Sequence, residues 1–229
     1  MTMPDYEIPK SNMFVVRLVV SLARAVFKLY FRLECEGCER VREALRLDRP
    51  VITIMNHASS LDPLAAAACT GADFVGSASA PGKRELFESP LTGWLMRALG
   101  FFPVDREILD LTVVRTLFRL LRAGRSIGIA PEGTRTLTGE VLPFKSGFVK
   151  LAIKTNTPIL PIGIQGTHEA LPKGSFIPRP KKLVVRFGKL IDLKRYIAEQ
   201  PEEPTEDELA EMIRQEVIRL SGGAVHEPA

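Results

Sequence analysis

Histidine, cysteine and tryptophan are scarce in this 229-residue chain, which has three, three and one of them. Three cysteines cannot pair off into a disulfide framework, and an odd count points to a reducing compartment. Cys35-Glu-Gly-Cys38 has metal-ligand spacing, but only Cys69, His57, His168 and His226 remain, and none supplies a matching second half, so no metal site is expected. That pair reads more simply as the end of a strand and a turn at Gly37. A Gly-rich phosphate loop, zinc-finger spacing and an RNA-binding aromatic signature are also missing. With 31 basic and 27 acidic residues the net charge is only +4, which argues against a nucleic-acid partner and suits anionic substrates or lipid surfaces better. No Gly-x-Ser-x-Gly elbow occurs, which weakens the case for a hydrolase that uses water or Ser59. There is no internal repeat and no low-complexity tract.

A bilayer-spanning segment needs about 20 predominantly apolar residues, and the chain has no such run. Met13 to Phe31 comes nearest, but Arg17, Ser21, Arg24 and Lys28 interrupt it. Their spacings put them on one stripe of a helix, facing away from Phe, Val and Leu. A helix of that kind lies in the headgroup plane. The expectation is therefore a peripheral or monotopic protein that contacts anionic lipids, placed on the cytoplasmic face of the cell membrane. No small-residue cleavage site follows, so a secretory signal is not expected. The competing reading is an amphipathic helix packed on the core.

What is present is a composition of 45% apolar and 25% charged residues, that of a folded domain. Short β-rich runs alternate with helical stretches, which predicts an α/β fold. Strands are expected at Phe31–Glu36, Val51–Met55, Phe74–Ser77, Phe101–Val104, Ser126–Ala130, Ile159–Ile164 and Leu183–Phe187. Helices are expected at Glu39–Arg46, Pro63–Cys69, Pro90–Leu99, Leu109–Arg122, Phe148–Lys154 and Asp207–Leu220. The last begins with a capping box at Thr205 to Glu208 and ends at Gly222-Gly223. The organisation is thus one domain over residues 31–222 with a mixed, largely parallel central sheet flanked by helices. An amphipathic membrane-surface helix (1–30) precedes it and a flexible tail (223–229) follows.

Charged side chains collect where the predicted strands end. Val51–Met55 delivers Asn56-His57-Ala-Ser-Ser-Leu-Asp62 at its carboxyl end, the edge where open α/β sheets gather ligands. An imidazole there can take a hydroxyl proton near neutral pH, provided a carboxylate holds its other ring nitrogen. Asp62 can do so, and ahead of Pro63 it can also cap a helix. Ser126–Ala130 runs into Pro131-Glu-Gly-Thr-Arg135, a tight turn that presents Glu132 for hydroxyls and Arg135 for a phosphate. The bland reading of that turn is a Glu132–Arg135 ion pair. Lys83 and Arg106 follow two further runs and are candidates for a phosphate cradle. Leu160-Pro-Ile-Gly-Ile164, with Phe144-Lys-Ser-Gly147 before it, reads as an edge or irregular strand because of Pro161. Gly163 there permits a ligand or another backbone to approach closely.

Together, Asn56-His57-x4-Asp62, Gly100–Arg106, Pro131–Arg135 and Leu160–Gly163 resemble the four ordered blocks of the glycerolphosphate acyltransferase family, nearest its lysophosphatidic acid acyltransferases. The resemblance covers about Phe31 to Leu190. It implies His57 as general base with Asp62 as its partner, Arg106 and Arg135 toward the acceptor phosphate, and Glu132 and Gly133 at the acceptor glycerol; Lys83 and Thr134 complete the candidate substrate-binding set. Pro161 is implied on the acyl-donor side. It implies an acyl thioester donor, acyl-CoA or acyl-carrier protein, no cofactor, no metal, and direct transfer to the sn-2 hydroxyl of lysophosphatidic acid, giving phosphatidic acid. Another lysolipid acceptor, such as a lyso-aminolipid, would leave the blocks much the same, whereas a non-enzymatic lipid-binding module would be indifferent to His57. Pro103 departs from the second block, where a plain aliphatic is common, and Gly82 precedes Lys83.

Overall fold

A computed structural model of the protein describes residues 9–104 and 111–223. In chain order the elements are α1 (Met13–Tyr30), β1 (Glu34–Glu36), α2 (Cys38–Arg46), β2 (Ile52–Met55), α3 (Asp62–Thr70), α4 (Ala72–Ser77), β3 (Ala78–Lys83), α5 (Pro90–Ala98) and β4 (Phe101–Val104). They continue with α6 (Leu111–Arg122), β5 (Ser126–Ile129), α7 (Gly147–Thr155), β6 (Ile159–Gln165), α8 (Thr167–Ala170), β7 (Val184–Phe187), α9 (Leu193–Ala198) and α10 (Glu206–Leu220). The seven strands form one sheet in the order β1-β7-β6-β2-β5-β3-β4. Every neighbouring pair is parallel except β6 and β7. The mixed, largely parallel sheet expected from the sequence is the one observed.

Each face of the sheet carries an apolar cluster, because strand side chains alternate between faces. Ile52, Ile54, Ile127 and Ile159 face a cluster built with Leu120, Phe148, Ile213 and Val217 of the helices. Leu160, Ile162, Ile164 and Val185 face the other cluster, which includes Phe27 of α1, Ala65 of α3 and Phe74 of α4. β6 shows how the sequence serves both. Its even residues are aliphatic, whereas Gly163 on the other face lets α10 approach, since a Cβ there would collide with the Leu220 backbone. The close approach expected at Gly163 is therefore that of another backbone. α10 starts at the expected capping box, where the Thr205 hydroxyl accepts from the Glu208 amide and the Glu208 carboxylate from the Thr205 amide.

Three sequence expectations are corrected. Phe74–Ser77 is helix α4, and the strand is the next segment, Ala78–Lys83. Phe74 is buried against α1 and α3, and Gly76 gives room to Met13, so tertiary packing overrides the local strand signal. The true strand, Ala-Ser-Ala-Pro-Gly-Lys, has no β-branched residue. Its pairing with β5 stops at Ser79, so Pro81 lies where only β4 pairs with it and the absent donor is tolerated. Pro161, secondly, lies inside an interior strand and not at an edge. The β7 ladder begins one residue later, and the Pro161 carbonyl accepts from Gly188 at 2.9 Å, so the missing N–H falls just beyond the ladder. Pro103 does occupy the outermost strand, where a proline costs little.

The third correction concerns cysteine. Cys35 on β1 and Cys69 in the last turn of α3 form a disulfide across 34 residues, with Cα atoms 5.9 Å apart, and Cys38 is the free thiol. An odd count excludes complete pairing but not one bridge. The partner came from a distant element and not from the neighbouring Cys38. Gly37 does make the expected turn, in the left-handed region at φ 71°. Burial, followed by the charge of Glu39, pushes the Cys38 thiol up, which makes it a poor nucleophile at neutral pH. Closing a loop of this length is worth about 3–4 kcal/mol. Cys35→Ser is expected to lower the thermal midpoint by roughly 10 °C in calorimetry without reductant. An unchanged midpoint would show two unpaired thiols.

α1 packs on the domain through one face and leaves another exposed. Val16, Val20 and Phe27 are buried on the domain, while Phe14, Leu18, Leu22 and Leu29 form an exposed apolar ridge beside exposed Arg17, Arg24 and Lys28. Among the described residues no helix is long and apolar enough to cross a membrane. The expected tail from residue 224 onward lies outside the described residues, as does Arg106.

Candidate active site

β2, β5, β3 and β4 run parallel, so their carboxyl ends share one edge of the sheet. The register Ile54 with Ile129 brings the segment after β2 directly beside the segment after β5. Asn56 fixes the first of these. Its side-chain amide donates to the Ile164 carbonyl at 2.9 Å and accepts from the Ile164 amide at 2.8 Å. This gives β2 one further rung against β6, immediately before His57.

Asp62 is fully buried, and its Oδ2 accepts from the Ala58 amide at 2.8 Å and the Ser59 amide at 2.7 Å, and lies 3.0 Å from His57 Nδ1. An oxygen already accepting two amides cannot also donate, so the facing ring nitrogen, Nδ1, carries the proton. The expected helix cap takes another form. Asp62 lies within the first turn of α3, and its carboxylate binds the two amides of the preceding loop in place of helix amides. The loop thus curls around the carboxylate and presents the imidazole, whose side chain is 14% exposed. Ser59 is fully buried, and its hydroxyl donates to the Leu171 carbonyl at 2.7 Å while accepting from the Leu61 amide. It is committed to holding the loop, which removes it as a rival nucleophile.

Glu132 meets this loop from β5. It is only 6% exposed, and its Oε1 accepts from the His57 backbone amide at 2.6 Å while Oε2 accepts from the Leu142 amide at 3.1 Å. Burial raises its pKa from 4.5 to about 7, against the lowering effect of those two amides and of His57, with Asp62 adding a smaller raise. The Thr136 amide donates back to the His57 carbonyl at 3.0 Å, so His57 is held by its own backbone on both sides. The bland reading of the turn does not hold, because Glu132 binds two amides and among the described residues pairs with no cation. Gly133 is in the left-handed region at φ 72°, and a Cβ there would reach 3.3 Å from Lys145 Nζ. Thr134 is exposed and Arg135 half-buried, and among the described residues no carboxylate pairs with Arg135.

Sequence reasoning did not assign two cations at this turn. Lys145 stands against Gly133, and Lys173 Nζ donates at 3.3 Å to both Thr134 Oγ1 and the Arg135 carbonyl. Lys145 lies in the Phe144–Gly147 stretch already noted, but nothing local to Lys173 signals its destination. Arg214 of α10 supports the same loop, donating to the carbonyls of Val141 and Leu142. Lys83 is at the shared edge but two strands from β2, about 10 Å away, and it pairs with Glu85 at 2.7 Å. Pro161 is buried, its ring against Gly188. Among the described residues no group of three His, Cys, Asp or Glu could hold a metal ion.

The family model described as Acyltransferase matches residues 32–165, more than half of the chain, and includes every residue of the His57 loop and the Pro131–Arg135 turn. The chain belongs to the acyltransferase family. A 1-acyl-sn-glycerol-3-phosphate acyltransferase of Limnanthes alba is 32% identical over 159 residues, 68% of this chain and 53% of that protein. One of Borreliella burgdorferi is 29% identical over 171 residues, 74% of this chain and 65% of that protein. The chain spans about half the length of the plant relatives it matches. The crystal structure of the 1-acyl-sn-glycerophosphate (LPA) acyltransferase PlsC from Thermotoga maritima aligns with a TM-score of 0.74 at 26% identity, covering 92% of this chain and 80% of that one. Membership rests on the segment that builds the site, and the structural likeness takes in 92% of this chain.

Proposed function

We propose that this acyltransferase moves a fatty acyl group from acyl-CoA or acyl-carrier protein to the sn-2 hydroxyl of lysophosphatidic acid, giving phosphatidic acid at a membrane surface. The observation that carries this is the His57 imidazole, its Nδ1 facing Asp62, beside a turn that bears Arg135 and against which Lys145 and Lys173 stand. Nε2 takes the acceptor hydroxyl's proton as the oxygen attacks the thioester carbonyl. The tetrahedral adduct then expels the thiolate, which takes the proton back from the imidazolium, so a C–O bond replaces a C–S bond and His57 is restored. Three cations around one turn match a phosphomonoester better than a neutral headgroup. The ridge of α1, apolar and flanked by cations, supports a seat on anionic lipid.

The test incubates purified protein with labelled acyl-CoA or acyl-carrier protein and either lysophosphatidic acid or a lyso-aminolipid. Labelled phosphatidic acid is the expected product. Acylation of the lyso-aminolipid alone would reassign the acceptor, and no product from either would overturn acyl transfer. In the same assay Arg135→Ala is expected to raise the apparent KM for lysophosphatidic acid about tenfold or more, the worth of a charge-assisted hydrogen bond. An unchanged KM would remove Arg135 from the acceptor phosphate.

A further inference from the structure

The segment between α8 and β7 contains two large apolar side chains that nothing among the described residues covers, Phe176 at 94% and Ile177 at 79% exposure. They do not belong to a loose strap. The Arg179 amide donates to the Ala170 carbonyl at 2.8 Å, which closes residues 171–178 into a compact loop, and the Ser175 amide donates to the Pro172 carbonyl. Pro172, Pro178 and Pro180 stiffen it further. Its base is fixed to the site, through Ser59 on the Leu171 carbonyl and Lys173 on Thr134 and Arg135. Its tip is fixed to α1, where the Tyr30 hydroxyl donates to the Pro178 carbonyl at 2.8 Å. Phe176 and Ile177 therefore stand within one side chain's reach of the last turn of α1, whose Leu29 is likewise exposed.

We propose that Phe176 and Ile177 form a second membrane foot, a rigid tip that inserts into an anionic bilayer beside α1 and sets the Thr134–Arg135 turn at headgroup depth. Charge selects this occupant. Arg179 and Lys181 flank the tip with no acidic partner among the described residues, and α1 adds Arg17, Arg24 and Lys28 with no acid from Met13 to Tyr30. A second copy of the same face would meet like charge, whereas anionic headgroups meet opposite charge with apolar depth behind them. The inference deepens the membrane-surface part of the proposed function and is independent of the acyl-transfer step, because its readout involves no turnover.

The experiment places a reporter at the tip, Phe176→Trp in a Trp94→Phe background, and adds the full chain to vesicles of phosphatidylcholine with about one-third phosphatidylglycerol. The indole emission is expected to shift to shorter wavelength and to be quenched by brominated acyl chains. In parallel, Phe176→Ala/Ile177→Ala is expected to lower co-sedimentation with those vesicles about tenfold or more. A protein that binds vesicles while its tip indole stays open to aqueous acrylamide, or a double variant that binds like wild type, would overturn the tip and leave α1 as the sole contact. Failure of the wild type to bind at all would overturn both. Self-association that vanishes in the double variant, without lipid quenching, would assign the tip to a second copy and overturn the lipid.

Discussion

His57→Ala is expected to lower kcat by about 10²–10⁴-fold, the usual worth of a positioned general base, in a protein whose thermal midpoint stays close to that of the wild type. The expectation that the fold survives has a specific basis. Removing the imidazole takes one of three donors from Asp62 Oδ2, and the Ala58 and Ser59 amides continue to satisfy the buried oxygen. Asp62→Asn is a less clean test, since its oxygen can keep the two loop amides but its NH₂ then takes the place of Oδ1, which is buried with no acceptor beside it among the described residues. The measurement is phosphatidic acid formation at saturating substrates, with unfolding followed on the same samples. A variant that keeps most of its rate would remove His57 from the chemical step, and a variant that fails to fold would show the ring to be structural.

Glu132→Gln is expected to lower kcat by about 10²-fold while the acceptor's apparent KM changes little. The carboxylate holds the His57 backbone amide at 2.6 Å and the Leu142 amide at 3.1 Å. A glutamine offers only one oxygen to these two donors, so one side of the site must move, and a displacement of about 1 Å costs a comparable factor in rate. The opposite split, a raised KM with kcat preserved, would mean that Glu132 touches the acceptor's hydroxyls as the family resemblance implies. A pH signature accompanies this role. The folded pKa of about 7 lies above the ordinary 4.5, so the folded state binds the proton more tightly than the unfolded chain. Glu132's contribution to stability is therefore complete below about pH 4.5, shrinks as pH rises, and is gone above about pH 7, a change of about 3 kcal/mol at most. Urea titrations across that window are expected to show a downward slope in the wild type that Glu132→Gln lacks. Parallel curves would place the carboxylate in contact with water.

The parts of the site that were legible from sequence are those that local chemistry dictates. A strand running into Asn56-His57, and another running into Pro131-Glu132-Gly133, announce themselves by apolar runs that end in polar turns, and a parallel sheet then brings the ends together. Asp62 was legible as His57's partner because five residues separate them, but its amide partners were not. A helix cap and a loop clasp use the same Asp-Pro pair, and only the loop path decides between them. Contacts that cross the chain were not legible at all. Glu132 reaches the His57 amide over 75 residues and Lys173 reaches Thr134 over 39, and no spacing rule encodes either. β3 was missed because a segment with Ala, Pro and Gly carries no strand signal of its own, and Cys69 was missed as a partner because its approach to Cys35 depends on how α3 packs beside β1. α9 escaped as well, being six residues long with Asp192 as its only start signal.

The two buried carboxylates have a consequence for how such a site can diverge. Asp62 and Glu132 grip four main-chain amides between them, and amides are the same whatever side chain their residue bears. Ser60, Thr134 and Leu137, which face outward from those same loops, are exposed and take no part in holding the imidazole. Under the proposed function, mutation of these outward side chains would revise the headgroup that is admitted while the main-chain grip on the imidazole is kept. Substrate range and chemical step would then be separately heritable traits in this fold.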